Sequence, residues 1–162
     1  MVDAPGRALD LGSGGGLPGL PLALQWPGST WLLLESQARR GDFLRQAVVD
    51  LSLAGRVEVV VDRAEAAAQT ELRGTFDLVT ARSFGRPAVT AECAAGFLSV
   101  GGTLLVSEPP EDDPTRWPAD GLATFGLLDE GRNGSVRVLR AIAACPPRFP
   151  RRVGVPAKRP LW

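Results

Sequence analysis

Asp10 is followed by glycines at alternate positions in the run Asp10-Leu-Gly-Ser-Gly-Gly-Gly-Leu-Pro-Gly-Leu-Pro21. A backbone so poor in side chains can turn sharply and admit a ligand where a Cβ would block it. The acid beside it can accept a hydrogen bond from an ammonium group on that ligand or from the glycine turn itself. Glu35 closes the apolar run Trp31-Leu-Leu-Leu-Glu35. A carboxylate there can accept from both hydroxyls of a ribose; the plain alternative is a surface acid at a strand end. Ala64-Glu65 and Arg82 also sit just past apolar runs. The set points to a nucleotide-type ligand.

What is missing narrows the chemistry. The chain has no histidine and no tyrosine. That excludes histidine acid–base work, Ser–His triads and histidine metal sites. The reaction must need little proton transfer, or must use carboxylates, Lys or Arg. Cys93 and Cys145 lie far apart in no metal spacing and read as reduced thiols of a cytoplasmic protein. No apolar run approaches the ~20 residues that cross a bilayer, and the start lacks the pattern of a signal peptide. No membrane partner is expected.

The elements that must position these groups alternate. Strands are expected at 7–11, 31–35, 57–61, 76–81 and 103–107. Helices are expected at about 18–25, 37–53 and 87–98, with a short helical turn at 64–70. Phe43, Leu44, Ala47, Val48 and Leu51 fall at helical spacing. Gly101-Gly102 reads as a turn and 108–120, rich in proline and acids, as a loop. Segments 122–128 and 135–143 read as a β-pair joined by Asn133-Gly134. The fold class is therefore α/β: one domain, a mostly parallel sheet with helices on both faces and a C-terminal antiparallel pair. Ligands of such sheets bind beyond the carboxyl ends of the strands. That rule collects Asp10, Gly12, Gly14, Glu35, Ala64, Glu65 and Arg82 around one pocket, with Asp10 and Glu35 as its acidic anchors.

Gly14-x-Gly16-x-x-Gly19 formally matches a dinucleotide fingerprint, which alone is a weak signal. Asp10 argues for S-adenosyl-L-methionine instead, because an acid there would repel a pyrophosphate. A second mononucleotide-binding unit is also not visible.

Net charge is zero, but it is unevenly spread. Residues 1–136 carry 11 basic and 18 acidic side chains, and 137–162 carry seven basic and no acidic ones. A basic segment on an acidic body suits a polyanion, or is a solvated tail.

Five blocks, in order along nearly the whole chain, resemble the glucose-inhibited division protein B family. These bacterial enzymes methylate guanine N7 in small-subunit (16S) ribosomal RNA. The blocks are the Asp10–Pro21 run, Leu33-Leu-Glu-Ser-Gln-Ala-Arg-Arg-Gly-Asp-Phe-Leu44, Arg63-Ala-Glu65, Thr80-Ala-Arg-Ser-Phe84 and Phe149-Pro-Arg-Arg-Val-Gly-Val-Pro-Ala-Lys-Arg-Pro-Leu161. The resemblance implies the class I, Rossmann-like methyltransferase fold, with residues 1–145 as the methyltransferase domain and 146–162 as a basic, proline-rich tail. It implies that Gly12 and Leu17 line the methionine and ribose part of the cofactor site. Glu35 would take the ribose hydroxyls, Ala64-Glu65 would face the adenine, and Arg82 would stand at the pocket mouth beside the reacting guanine. The plain alternative for Arg82 is a structural pair with an acid such as Glu65. Arg148, Arg151, Arg152, Lys158 and Arg159 would contact RNA, on a tail held extended by its prolines and glycines. A monomer acting on the small ribosomal subunit is expected.

The chain departs from the family's pattern in two places. It starts almost at the first strand, where the family carries a helical region; Met1 reads as an alternative or mis-called start, or a truncation. It also has Ser107-Glu108-Pro109 after the fifth strand, where the family usually has Lys-Gly. An anion there is expected to repel RNA. A divergent relative that binds RNA without turnover, and a methyltransferase with another substrate, remain open.

Overall fold

The computed structural model describes residues 3–111 and 113–162. Met1, on which the reading of the start rests, and Asp112 of the acidic loop lie outside the described residues.

Seven strands form one sheet: β1 (Arg7–Leu11), β2 (Thr30–Glu35), β3 (Val57–Val61), β4 (Phe76–Ala81), β5 (Leu98–Ser107), β6 (Leu127–Asn133) and β7 (Val136–Ala141). Their spatial order is β3-β2-β1-β4-β5-β7-β6. β1 to β5 pair in parallel, while β7 runs antiparallel to β5 and β6. Strand order reverses between β1 and β4, so their carboxyl ends open the crevice that such sheets use for ligands. The antiparallel β7 stands beside β5, where an all-parallel dinucleotide fold would continue with a further parallel strand.

The inner strands are mostly apolar because both faces are covered. Leu9, Leu11, Leu32 and Leu34 face one core with α4 (Pro87–Ala95) and α3 (Ala64–Ala67). Ala8 and Leu33 face the other with α1 (Gly19–Gln25) and α2 (Ala38–Asp50). Residues one apart thus serve opposite cores, as the pleat requires. On α2 the buried set is Gly41, Leu44 and Val48, whereas Phe43 and Leu51 are exposed.

Three expectations need correction. The Gly101-Gly102 pair is not a turn before the fifth strand but an irregularity within β5. Phe76 pairs with Leu98 and Leu78 with Thr103, and the extra residues between are absorbed there. Residues 122–126 are not part of a strand. Pro118 opens α5 (Ala119–Ala123), Leu122 N donates to Pro118 O at 3.0 Å, and β6 begins only at Leu127. The strand then continues through polar residues as an edge, with Glu130 held by Arg140 from β7. Finally, the last segment is not wholly extended. Gly154, at φ 80°, leads into the single turn α6 (Val155–Lys158).

Candidate functional site

Glu35, the last residue of β2, is 4% exposed. Its Oε2 accepts from Gly14 N at 2.9 Å and its Oε1 from Gln37 N at 2.9 Å. The carboxylate therefore ties the glycine turn to the start of α2. A carboxylate offers about four lone-pair positions, so Glu35 keeps acceptor capacity beyond these two bonds. It lines a cavity of about 220 Å3 with Gly12, Ala64, Glu65, Phe84 and Ala157.

Phe84 shapes that cavity from below. Ser83 adopts φ 53°, which swings the chain so that the Phe84 ring lies against Gly12. A Cβ on Gly12 would come within 2.7 Å of the ring, and Gly12 itself has φ 69°. Only glycine meets both conditions without strain.

Glu65 is 5% exposed at the start of α3. Its Oε1 accepts from Gly154 N at 2.9 Å and from Arg63 Nη2 at 3.3 Å. Burial would raise its pKa, but the Gly154 N–H, its own backbone N–H and Arg63 outweigh that and hold it below the usual value. This bond carries the C-terminal segment to the cavity, where Ala157 forms part of the wall. Cys93 also lines the wall, but burial pushes its thiol far up, so it is no nucleophile.

Asp10 is not part of this lining. It is 1% exposed; its Oδ1 accepts from Thr80 Oγ1 at 2.7 Å and its Oδ2 from Gly19 N at 3.2 Å. A Cβ on Gly19 would meet Oδ2 at 2.7 Å, so glycine is needed for the approach. Burial raises the Asp10 pKa against the hydrogen bonds from Thr80, Ser13 and Gly19. Of its two possible partners, then, Asp10 takes the glycine loop. It braces the loop beneath the ligand crevice instead of anchoring the cavity with Glu35. Gly14 acts through its N–H to Glu35, and Leu17 stands half exposed on the outer side of the loop.

Arg82 lies elsewhere again. It is exposed and makes no ion pair among the described residues, with Glu65 or any other acid. It lines a second cavity, of about 390 Å3, with Glu108, Arg116 and Trp117 beyond the ends of β4 and β5. Ser83 and Phe84 border both cavities. Glu108 does not present a free anion: Arg116 Nε and Nη2 donate to it at 3.2 and 3.4 Å. The expected repulsion of RNA is neutralised inside the fold.

Arg151 departs most from its expected role. Its guanidinium is committed to buried Glu92 of α4, with Nη2 to Oε2 at 2.6 Å. Arg148, Arg152, Lys158 and Arg159 remain exposed with no carboxylate partner among the described residues, Arg148 lying 5.0 Å over the Phe149 ring. A larger concavity of about 600 Å3, lined by Gly6, Asp77 and Arg140, sits at the amino ends of the parallel strands, away from this crevice.

Sequence reasoning singled out Glu108 but not its partner Arg116 or neighbouring Trp117, and it missed Phe84 and Ala157. The contact of Phe84 with Gly12 depends on the Ser83 backbone, which spacing does not give. Nothing local to Ala157 announces a contact with residues ninety positions away.

The Glu35 carboxylate is the kind of acceptor that a ribose diol needs. The family model described as rRNA small subunit methyltransferase G matches residues 1–110. The chain belongs to this family. Curated relatives named Ribosomal RNA small subunit methyltransferase G agree with it nearly end to end. The one from Rubrobacter xylanophilus is 36% identical over 98% of this chain and 66% of its own length. The one from Prochlorococcus marinus is 38% identical over 97% and 68%. The chain thus spans about two-thirds of the length of these methyltransferase G relatives. Among solved structures, an O-methyltransferase family protein from Burkholderia thailandensis superposes with a TM-score of 0.66 at 20% identity, over 83% of this chain and 50% of that one. An O-methyltransferase from neocarzinostatin biosynthesis, solved with S-adenosyl-L-homocysteine, gives 0.65 at 17%, over 84% and 49%. The fold is that of the class I S-adenosylmethionine-dependent methyltransferases.

Proposed function

We propose that the protein binds S-adenosyl-L-methionine in the Glu35 cavity and methylates guanine N7 in small-subunit ribosomal RNA. The observation that carries this is the Glu35 carboxylate. It is fixed at the tip of β2 by Gly14 and Gln37, and it shares one cavity with Gly12, Ala64 and Glu65. Glu35 accepts from the ribose hydroxyls, Gly12 lets the ligand pass close to backbone, and Ala64 leaves room for a flat base. When bound, the cofactor supplies a methyl group already activated on a sulfonium. Guanine N7 has a lone pair and no proton, so the residues need only place the two reactants in line and exclude water. A chain without histidine or tyrosine can do that. Arg82, whose guanidinium carries donors and no acceptor, serves by donating to guanine O6 or a phosphate. Arg148, Arg152, Lys158 and Arg159 contact RNA phosphates, Leu17 borders the methionine end, and residues 146–162 act as the RNA-facing segment. The substrate puts this work in the cytoplasm, with a monomer expected by light scattering.

Calorimetry with S-adenosylmethionine, S-adenosylhomocysteine and NAD tests the cofactor; NAD binding without a response to the other two overturns it. Tritium transfer to small ribosomal subunits tests the reaction, with Glu35→Gln expected to lose at least tenfold. Label on protein instead of RNA overturns the substrate.

A further inference from the structure

The second cavity holds features that the cofactor does not use. Trp117 is 4% exposed, and its Nε1–H is buried without a hydrogen-bond partner. A buried donor left unpaired is costly, and such orphans commonly mark a missing partner. Arg82 lines the same cavity with its guanidinium uncommitted. Opposite in character is Glu108, 8% exposed and held by Arg116. Arg116 occupies one lone pair on each carboxylate oxygen, and each keeps another. The cavity is therefore lined by an uncommitted guanidinium, a paired carboxylate and an indole whose buried N–H has no partner, beside an aromatic wall shared with the cofactor cavity at Ser83 and Phe84.

We propose that this cavity receives the acceptor base and that Glu108 selects guanine, by accepting from N1–H and the exocyclic amine of its Watson–Crick edge. This rests on the methyltransferase reading above. Guanine presents two adjacent donors on that edge and two acceptors, O6 and N7, towards the other side. The donors match the Glu108 oxygens, and O6 suits Trp117 Nε1 or Arg82. N7 then faces the wall shared with the cofactor. Adenine would set its N1 lone pair against the carboxylate. A base swung out of its stack is read in this way, by its Watson–Crick edge and by an aromatic surface. At about 390 Å3 the cavity falls within the size range of small-ligand sites. The family's usual lysine could not accept from these donors, so this contact to the base belongs to this chain's own Glu108.

The test uses the full chain and small-subunit RNA. Mass spectrometry first locates the methylated nucleotide. RNA is then ligated with guanosine, inosine or 7-deazaguanosine at that position. Inosine lacks only the exocyclic amine, so wild-type kcat/KM is expected to fall about tenfold or more. In Glu108→Gln the guanosine rate falls and the guanosine-to-inosine ratio collapses towards one, with S-adenosylhomocysteine affinity unchanged. A wild-type ratio near one, or the same ratio in both proteins, overturns the role of Glu108. Methylation of another base, or of the 7-deazaguanosine RNA, overturns the proposed function and this site with it. If Glu108→Gln does not fold, Trp117→Phe reads the same cavity. A several-fold loss of kcat/KM at unchanged Tm supports the assignment, and an unchanged kcat/KM overturns it.

Discussion

Arg151 donates four hydrogen bonds to Glu92, three from its guanidinium and one from its backbone N–H. The acid is buried in α4 and the arginine comes from the C-terminal segment. A residue that composition assigns to RNA is therefore a clamp holding that segment to the body. Breaking a buried pair from one side leaves a charge with neither partner nor water. Arg151→Met is expected to cost about 3 kcal/mol, at the low end for such pairs because the arginine is partly exposed. Urea unfolding should show it as a lowered midpoint at unchanged slope, with Glu92→Gln less damaging than Arg151→Met.

The Glu65–Gly154 bond makes the segment sensitive to acid. Glu65 has its pKa held below the usual carboxylate value. Its stabilisation is present above that value and is lost as pH falls through the lower folded one. The protection factor of the Gly154 amide should drop over that interval while amides of β1 stay protected. In Glu65→Gln the pH dependence should be gone. Asp10 has the opposite sign: its pKa is raised, so its ionisation on going up in pH costs stability.

Gly12→Ala places a Cβ 2.7 Å from Phe84 and forces a left-handed alanine. The backbone term alone is about 1–2 kcal/mol. Calorimetry should find S-adenosylhomocysteine binding weakened by roughly tenfold or more. Adding Phe84→Ala should restore part of that loss, because the ring, and not only the backbone, opposes the new methyl.

Charge removal should divide the basic residues into two groups. Alanine at Arg148, Arg152, Lys158 and Arg159 together is expected to reduce the salt slope of RNA binding by about one per lost phosphate contact. Arg151→Met should leave that slope unchanged in protein that remains folded. Fluorescence anisotropy from low to moderate salt separates the two.

The parallel half of the fold was legible because its inner strands are buried on both faces. The continuous run Trp31–Leu34 announces itself, the valines of Val57–Val61 mark the edge strand beside it, and glycines mark the turns. The antiparallel edge was less so. In β6, Asp129 and Glu130 form ion pairs with Arg137 and Arg140 of β7, a pattern that apolar runs do not reveal. Glu35, Gly12 and Ala64-Glu65 reached one cavity because each ends or follows a strand, which is local information. Asp10 also lies near the end of its strand, but side chains alternate faces along it, and its carboxylate turned beneath the loop towards Gly19. The partners of Arg151 and Glu108 were hidden for another reason: both pairs depend on side-chain directions that spacing does not give.

Ala157 walls the ligand cavity, and Gly154 is tied to Glu65 beside it. A molecule seated in that cavity therefore also fastens residues 154–157, and by linkage, loosening them weakens its hold by the same free energy.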